Sequence, residues 1–200
     1  MQLEQELTEA VFKRLFVEIE ASGRHVHVTR EQAELLFGHG LTPQRPLSQP
    51  GQFLSQERVT LVGPKGSFQN VAVLGPERQE GQVELSLSDC VALGIQAPIR
   101  LSGDVAGTPG IHLEGTAGRM ELPQGVIAAK RHIHLTPQAA EAFHVRDGQV
   151  VQLQTYTRRP CIFGDVVIRV SPDFAPYVHL DFDEANACGF RKGDFGRILP

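Results

Sequence analysis

Arg24-His25-Val26-His27-Val28-Thr29 and Arg131-His132-Ile133-His134-Leu135-Thr136 are two copies of one pattern. Each places two histidines at i and i+2 among β-branched or aliphatic residues. In an extended strand alternate side chains share a face, so each copy presents two imidazoles side by side, the spacing a metal ion needs. Each copy is followed by a helix-start signal. Two such pairs in one small chain point to a two-metal site on a duplicated, strand-built scaffold.

Composition sets the frame. Two hundred residues suit one compact domain or two small ones. Hydrophobic content of 41% and charged content of 21% are those of an ordinary globular protein, and a net charge of −4 argues against a general nucleic-acid binder. Cys90, Cys161 and Cys188 are odd in number and lack C-x-x-C spacing, so they read as reduced core thiols in the cytosol rather than a disulfide framework or a cysteine zinc site. The apolar runs are too short to span a bilayer, and the acidic, amphipathic N-terminus is no secretory signal.

Outward from the two motifs, the period of hydrophobicity predicts the elements. Gln2–Arg14 reads as a helix with Leu3, Leu7, Ala10, Val11 and Leu15 on its apolar face, favoured as a packing helix over a targeting peptide. A strand then runs into Gly23. Thr29 caps a helix, with Gln32 completing a capping box and Gly38 ending it. Residues 39–52, with Pro43, Pro46 and Pro50, read as a loop. Short strands follow at 58–62, 68–74, 82–87, 99–101 and 111–114, with Gly63-Pro64-Lys65-Gly66 as a turn and Ser88 capping a helix from Asp89 to Leu93. The second half replays this. A strand at 126–129 leads into the second motif, Thr136 caps with Pro137 at the first helical position, strands follow at 150–155, 161–170 and 177–180, and Asp183 caps a helix from Glu184 to Cys188.

The repeat extends beyond the motifs. His25 and His132 are offset by 107 residues; Val83–Ile95 aligns with Val178–Phe190 at an offset of 95. The first half therefore carries twelve extra residues, assigned to the proline-rich stretch. The expected fold is mainly β with short helices: two similar β-barrels or paired sheets from an internal duplication.

The alignment sets Glu84 over His179. Each half then offers two histidines and one further donor: His25, His27 and Glu84 in one, His132, His134 and His179 in the other. Three protein ligands with an open position is the pattern of a catalytic zinc, and this donor set suits zinc best among divalent metals. Arg78 is placed to fork onto a phosphate. Lys65 is a phosphate contact of low specificity. Arg24 and Arg131 share a face with Val26 and Ile133, away from the ligands, and Asp181, Asp183 and Glu184 stand as partners for histidine N–H groups, with capping favoured for Asp183. His39, His112 and His144 fall outside the pattern and read as loop or surface residues.

With Arg24-His25-Val26-His27, Gly75-Pro76-Glu77-Arg78, Gln82-Val83-Glu84, Arg131-His132-Ile133-His134-Leu135-Thr136-Pro137 and His179-Leu180-Asp181 through Ala187, the chain resembles the Pdu-type phosphate propanoyltransferases, phosphotransacylases of bacterial microcompartments, over about residues 17–195. The resemblance implies reversible conversion of acyl-CoA and phosphate to acyl phosphate and coenzyme A. It implies two β-barrels that exchange their first strands, one built from 23–130 and the other from 1–22 plus 131–200, with two zinc ions between them. His25, His27 and Glu84 would hold one zinc and His132, His134 and His179 the other. Arg78 would bind phosphate, and Arg131 and Asn186 would contact coenzyme A. The phosphate is expected to attack the thioester directly, with no acyl-enzyme. Acyl-CoA and phosphate are the partners, without nucleic acid or membrane. A cytoplasmic location, a bacterial microcompartment with its shell or core enzymes, and a homo-oligomer are all compatible with it. Where the family carries a Gly-Val-Ser-type stretch before the first pair, this chain has Glu18-Ile19-Glu20-Ala21-Ser22. Two rival readings use the same residues: a two-zinc hydrolase of thioesters or phosphoesters, and a non-catalytic metal-stabilised scaffold.

Overall fold

The computed structural model describes residues 11–199. In chain order its strands are β1 (Val17–Ser22), β2 (His25–His27), β3 (Pro43–Pro46), β4 (Phe53–Val62), β5 (Ser67–Gly75), β6 (Gln82–Leu85), β7 (Ile99–Arg100), β8 (Ile111–Glu114), β9 (Arg119–Leu122), β10 (Val126–Ala129), β11 (His132–Leu135), β12 (Val150–Tyr156), β13 (Ile162–Val170), β14 (Tyr177–Asp181) and β15 (Phe195–Leu199). The helices are α1 (Arg30–Phe37), α2 (Leu87–Leu93), α3 (Pro137–Ala142) and α4 (Phe182–Cys188), after a helical stretch at residues 11–15. None of the described helices is long and apolar enough to cross a membrane.

The fold is mainly β, as the alternation predicts, and it divides into two compact units. One comprises Gly23–Lys130; the other joins the segment up to Ser22 to the segment from Arg131 onward. In the latter unit β1-β14-β11-β13-β12-β15 close into a barrel. In the former, a nine-stranded sheet ordered β7-β10-β6-β2-β5-β4-β8-β9, with β3 on β4, curls into a half-barrel. Each unit has its own core. Val26, Leu36, Leu61, Val73, Val83, Leu93 and Leu113 fill one, and Ile19, Ile133, Leu135, Leu153, Ile168, Val178 and Leu180 the other.

The motif strands explain themselves by alternation. Val26 and Ile133, both 0% exposed, point into the cores, which turns the flanking histidines to the opposite face. The helix that follows each motif stops the strand through its cap. Thr29 accepts from the Gln32 amide and completes the expected capping box, and Thr136 accepts from Ala139 with Pro137 behind it.

The structure corrects several boundaries. The caps expected at Ser88 and Asp183 sit two residues earlier, at Ser86 and Asp181, each in a capping box with Asp89 or Glu184. Both shift together, so the repeat holds while the cap moves. The proline-rich segment, expected as a loop, contains β3, which among the described residues pairs with β4 alone; an edge strand needs few backbone donors and so tolerates proline. The hydrophobic period does not predict β9 or β15. In β15, Gly196 interrupts the apolar pattern because a Cβ there would meet Leu153 Cδ1 at 2.6 Å. Of the N-terminal helix, residues 2–10 lie outside the described residues. Val11 and Leu15, placed on its apolar face, are exposed. Phe12 instead meets Phe195 edge-on, with ring centroids 4.7 Å apart, and Phe16 meets Tyr156 at 5.3 Å.

Candidate metal and anion site

In the Gly23–Lys130 unit, β2 lies between β5, parallel to it, and β6, antiparallel. The β2–β6 register sets His25 directly opposite Glu84 and His27 opposite Gln82. Cross-strand partners on one face approach closely. His25 Nε2 lies 3.6 Å and His27 Nε2 3.8 Å from Glu84 Oε1. The second nitrogens are fixed by carbonyls: His25 Nδ1 donates to Gly23 O at 2.8 Å and His27 Nδ1 to Leu74 O at 3.2 Å. A carbonyl only accepts, so the proton of each neutral imidazole resides on Nδ1 and the Nε2 lone pair faces Glu84.

A metal ion fits this donor set. Tetrahedral zinc with bonds near 2.0–2.1 Å spaces its ligand atoms roughly 3.3 Å apart, and the three donor atoms here all lie within 4.8 Å of one another on buried residues. Their electrostatics agree. Burial alone would raise the Glu84 carboxyl, but His25 and then His27 outweigh it and hold it well below the usual carboxylate range. Burial, His25 and Arg78 push His27 well below the usual imidazole value, which keeps it neutral. His25 moves the other way: burial lowers it, yet the Glu84 charge and hydrogen bond raise it overall.

Arg78 follows the Gly75–Pro76 turn, and its backbone N–H donates to Val28 O at 2.9 Å, one residue beyond the histidine pair. Its Nη1 donates to Ser102 Oγ at 3.0 Å. Ser102 in turn accepts from Gln82 Nε2, which also donates to Glu84 Oε1, so hydrogen bonds link the guanidinium to the donor group. Arg78, through its charge, disfavours protonation of both His25 and His27. With Pro50, Gly51, Gln52, Gly75 and Pro76 it lines a cavity of ≈ 280 Å³. Lys65, in contrast, is exposed, its stem packed near Gly94.

The other unit repeats the arrangement. β11 lies between β13, parallel, and β14, antiparallel, and His132 faces His179 across the latter pair. The His132, His134 and His179 donor atoms also lie within 4.8 Å of one another. His134 stacks on Phe174 with centroids 4.0 Å apart, and Arg169 sits over the same ring at 5.7 Å. Three imidazoles with convergent nitrogens suit zinc as well.

The arginines that precede the two histidine pairs make scaffold contacts. Arg24 Nη2 donates to Asp89 Oδ1 and Arg131 Nη1 to Glu184 Oε1, each at 2.6 Å. The two acids are the N3 residues of the α2 and α4 capping boxes, so each arginine ties the histidine-pair strand to the helix that follows the strand of the third donor. Arg131 Nε also donates to Gly164 O at 2.7 Å. Burial and the adjacent Asp181 nevertheless push the Glu184 carboxyl up. Asp181 and Glu184 serve the helix start, and Glu184 also holds Arg131. Asn186 is exposed on α4. His39, His112 and His144 are exposed and apart from either group. Sequence reasoning missed Gln82 and Ser102. Gln82 lies two residues before Glu84 and so on its strand face, a signal in plain view; Ser102 comes from a distant loop and carries no spacing signal.

The profile of the family described as phosphate propanoyltransferase matches residues 18–191. A phosphate propanoyltransferase of Listeria monocytogenes is 53% identical over 197 residues, spanning 98% of this chain and 92% of the relative. One of Clostridioides difficile is 52% identical over 197 residues, spanning 98% and 94%. One of Salmonella typhimurium is 48% identical over 170 residues, spanning 84% and 81%. A duplicated β scaffold with one three-donor group per unit, matched along nearly its whole length, places this chain in the phosphate propanoyltransferase family of phosphate acyltransferases.

Proposed function

We propose that the chain transfers an acyl group, propanoyl or acetyl, reversibly between coenzyme A and phosphate, with zinc held by His25, His27 and Glu84 in one unit and by His132, His134 and His179 in the other. The observation that carries this reading is the Arg78 guanidinium, which lines an open cleft and is joined through Ser102 and Gln82 to the buried His25–His27–Glu84 donor group. Zinc at these positions would orient phosphate and stabilise charge on the thioester oxygen or the departing thiolate.

The chain's own residues do the rest. Arg78 offers paired N–H donors to a phosphate oxygen pair and offsets its charge. It thereby holds the nucleophile for attack and reduces the cost of bringing a dianion to a carbonyl. A phosphate oxygen bonds to the carbonyl carbon, the C–S bond breaks, and the thiolate leaves as coenzyme A. An acyl-enzyme is not needed, and Cys90 and Cys188 are buried in the cores. Asn186 and Arg131 are assigned to coenzyme A; Arg131 would present the guanidinium edge not committed to Glu184 and Gly164. Lys65 has only its exposure in its favour and is not carried further.

Thiol release from acetyl-CoA and propanoyl-CoA, with and without phosphate, before and after chelation, tests this. Release that requires phosphate, stops on chelation and returns with zinc is the expected result. Release at the same rate without phosphate would make the protein a hydrolase, and no release under any condition would make it a scaffold.

A further inference from the structure

Gln82 is 2% exposed, and both atoms of its side-chain amide that can hydrogen-bond are engaged. Its Nε2 donates to Glu84 Oε1 at 2.6 Å and to Ser102 Oγ at 2.9 Å, which uses both amide protons. Its Oε1 accepts from the Gly103 backbone N–H at 2.7 Å, which fixes the amide orientation. Ser102 Oγ also accepts from Arg78 Nη1 at 3.0 Å. With two donors on its oxygen, the Ser102 hydroxyl has its own proton left to give, and it is among the groups that favour the ionised form of Glu84. A continuous path thus runs Arg78–Ser102–Gln82–Glu84, and the Ser102–Gly103 backbone is held to it by Gln82.

We propose that Gln82 and Ser102 are positioning residues that set the Arg78 guanidinium and the Glu84 carboxylate as one unit, Ser102 fixing where Arg78 meets phosphate and Gln82 fixing the carboxylate toward the metal. The inference rests on the function proposed above. A buried carboxylate has several lone pairs to satisfy, and the ones not used by a metal need donors of fixed direction. Gln82 supplies one such donor. It also shares Ser102 with Arg78, so displacing either partner shifts the other. Charge-assisted bonds of this kind are the stronger ones and have the geometric tolerance of a clamp rather than a tether.

Two measurements separate this from mere packing. First, Ser102→Ala should raise KM for phosphate roughly tenfold, the loss of one hydrogen bond to a charged group. KM for acyl-CoA and zinc content should not change, and Ser102→Thr, which keeps the hydroxyl, should restore the phosphate KM. In the Arg78→Ala background, Ser102→Ala should add nothing. Second, Gln82→Met, close in volume, should weaken zinc binding at the His25–His27–Glu84 group about tenfold to a hundredfold, read by competition with a chromophoric chelator, while the His132–His134–His179 group keeps its affinity. Gln82→Glu, which retains the shape and removes the donor, should weaken it as well and guards against a folding defect in the first variant. The zinc titration needs no turnover, so it decides the Gln82 half even if phosphate-dependent thiol release fails in the parent protein; that failure would sink the functional reading instead. Wild-type zinc affinity in both Gln82 variants, or equal changes in both KM values with Ser102→Ala, would overturn the proposal.

Discussion

The two units hang their ligand pairs on the same frame. In each, the H-x-H strand has one parallel and one antiparallel neighbour, and the antiparallel one carries the third donor directly opposite the first histidine. The frame even exchanges its first strands: β1, ahead of the first motif, lies parallel to β14, whereas β10, ahead of the second, lies parallel to β6. Ile19 pairs with Val178 and Val126 with Val83, and these partners keep the 107 and 95 offsets of the sequence repeat. Each unit also spends an arginine on the N3 acid of a capping box.

They differ in what surrounds the third donor. Glu84 has Ile127 as its register neighbour on β10, with Gln82 and Ser102 close by. His179 has Glu20 as its neighbour on β1, and Tyr177 stands where the repeat puts Gln82. A carboxylate comes with polar donors and an apolar strand neighbour, an imidazole with a carboxylate neighbour. Duplication preserved the scaffold, and divergence reached the third donor together with its neighbours, because a carboxylate and an imidazole favour opposite partners.

That comparison can be broken experimentally. Arg78→Ala should have the largest effect, lowering kcat/KM roughly a thousandfold with zinc content intact; near-normal turnover would remove phosphate binding from this unit. His27→Ala and His134→Ala should each lower zinc affinity by more than about a hundredfold at their own group, halving the metal bound per chain by atomic absorption. Loss of both metals from either variant would show that the groups do not bind independently.

Next comes stability. Arg24→Met strands Asp89, which is 5% exposed, and should cost about 2 kcal/mol in urea unfolding. Arg131→Met should cost nearer 1 kcal/mol, because the Glu184 carboxyl is already pushed up and protonates more readily. Equal costs would mean that the two clamps do not differ as their burial says.

The smallest effect concerns pH. In the metal-free unit, ionised Glu84 and protonated His25 attract. Glu84 is depressed below 4.5, so its contribution is present above that value and fades as pH falls through the depressed pKa. His25 is raised above 6.5, so its contribution is present below that value and fades as pH rises through the raised pKa. The chelated protein should therefore draw its gain from this pair between the two. Glu84→Gln should erase it in thermal unfolding across pH. Zinc binding requires neutral His25, so the loaded protein should instead gain stability as pH rises through the raised His25 pKa.

Alternation alone made the ligand faces legible. Val26 and Ile133 must go inward, so their neighbours go outward, and the repeat arithmetic located Glu84 and His179 before any geometry. Thr29, Gln32, Thr136 and Pro137 announced their helices through local chemistry. Ser86 and Asp181 were missed for their neighbours Ser88 and Asp183, since two capping residues two positions apart are locally equivalent and only packing chooses between them. β3 and β15 hid because proline and glycine suppress the strand signal where an edge or a close approach to Leu153 requires them.

The sequence by itself determined the duplicated β frame and the membership of the two donor triplets, because period and spacing act over a few residues or repeat at a fixed offset. Only the tertiary structure decided what holds them. Ser102 reaches Arg78 across 24 residues, Gln82 reaches Gly103 across 21, and Arg131 reaches Glu184 across 53. Such contacts depend on strand order and loop path, and hydrogen bonds between distant segments leave no periodic trace in the chain that makes them.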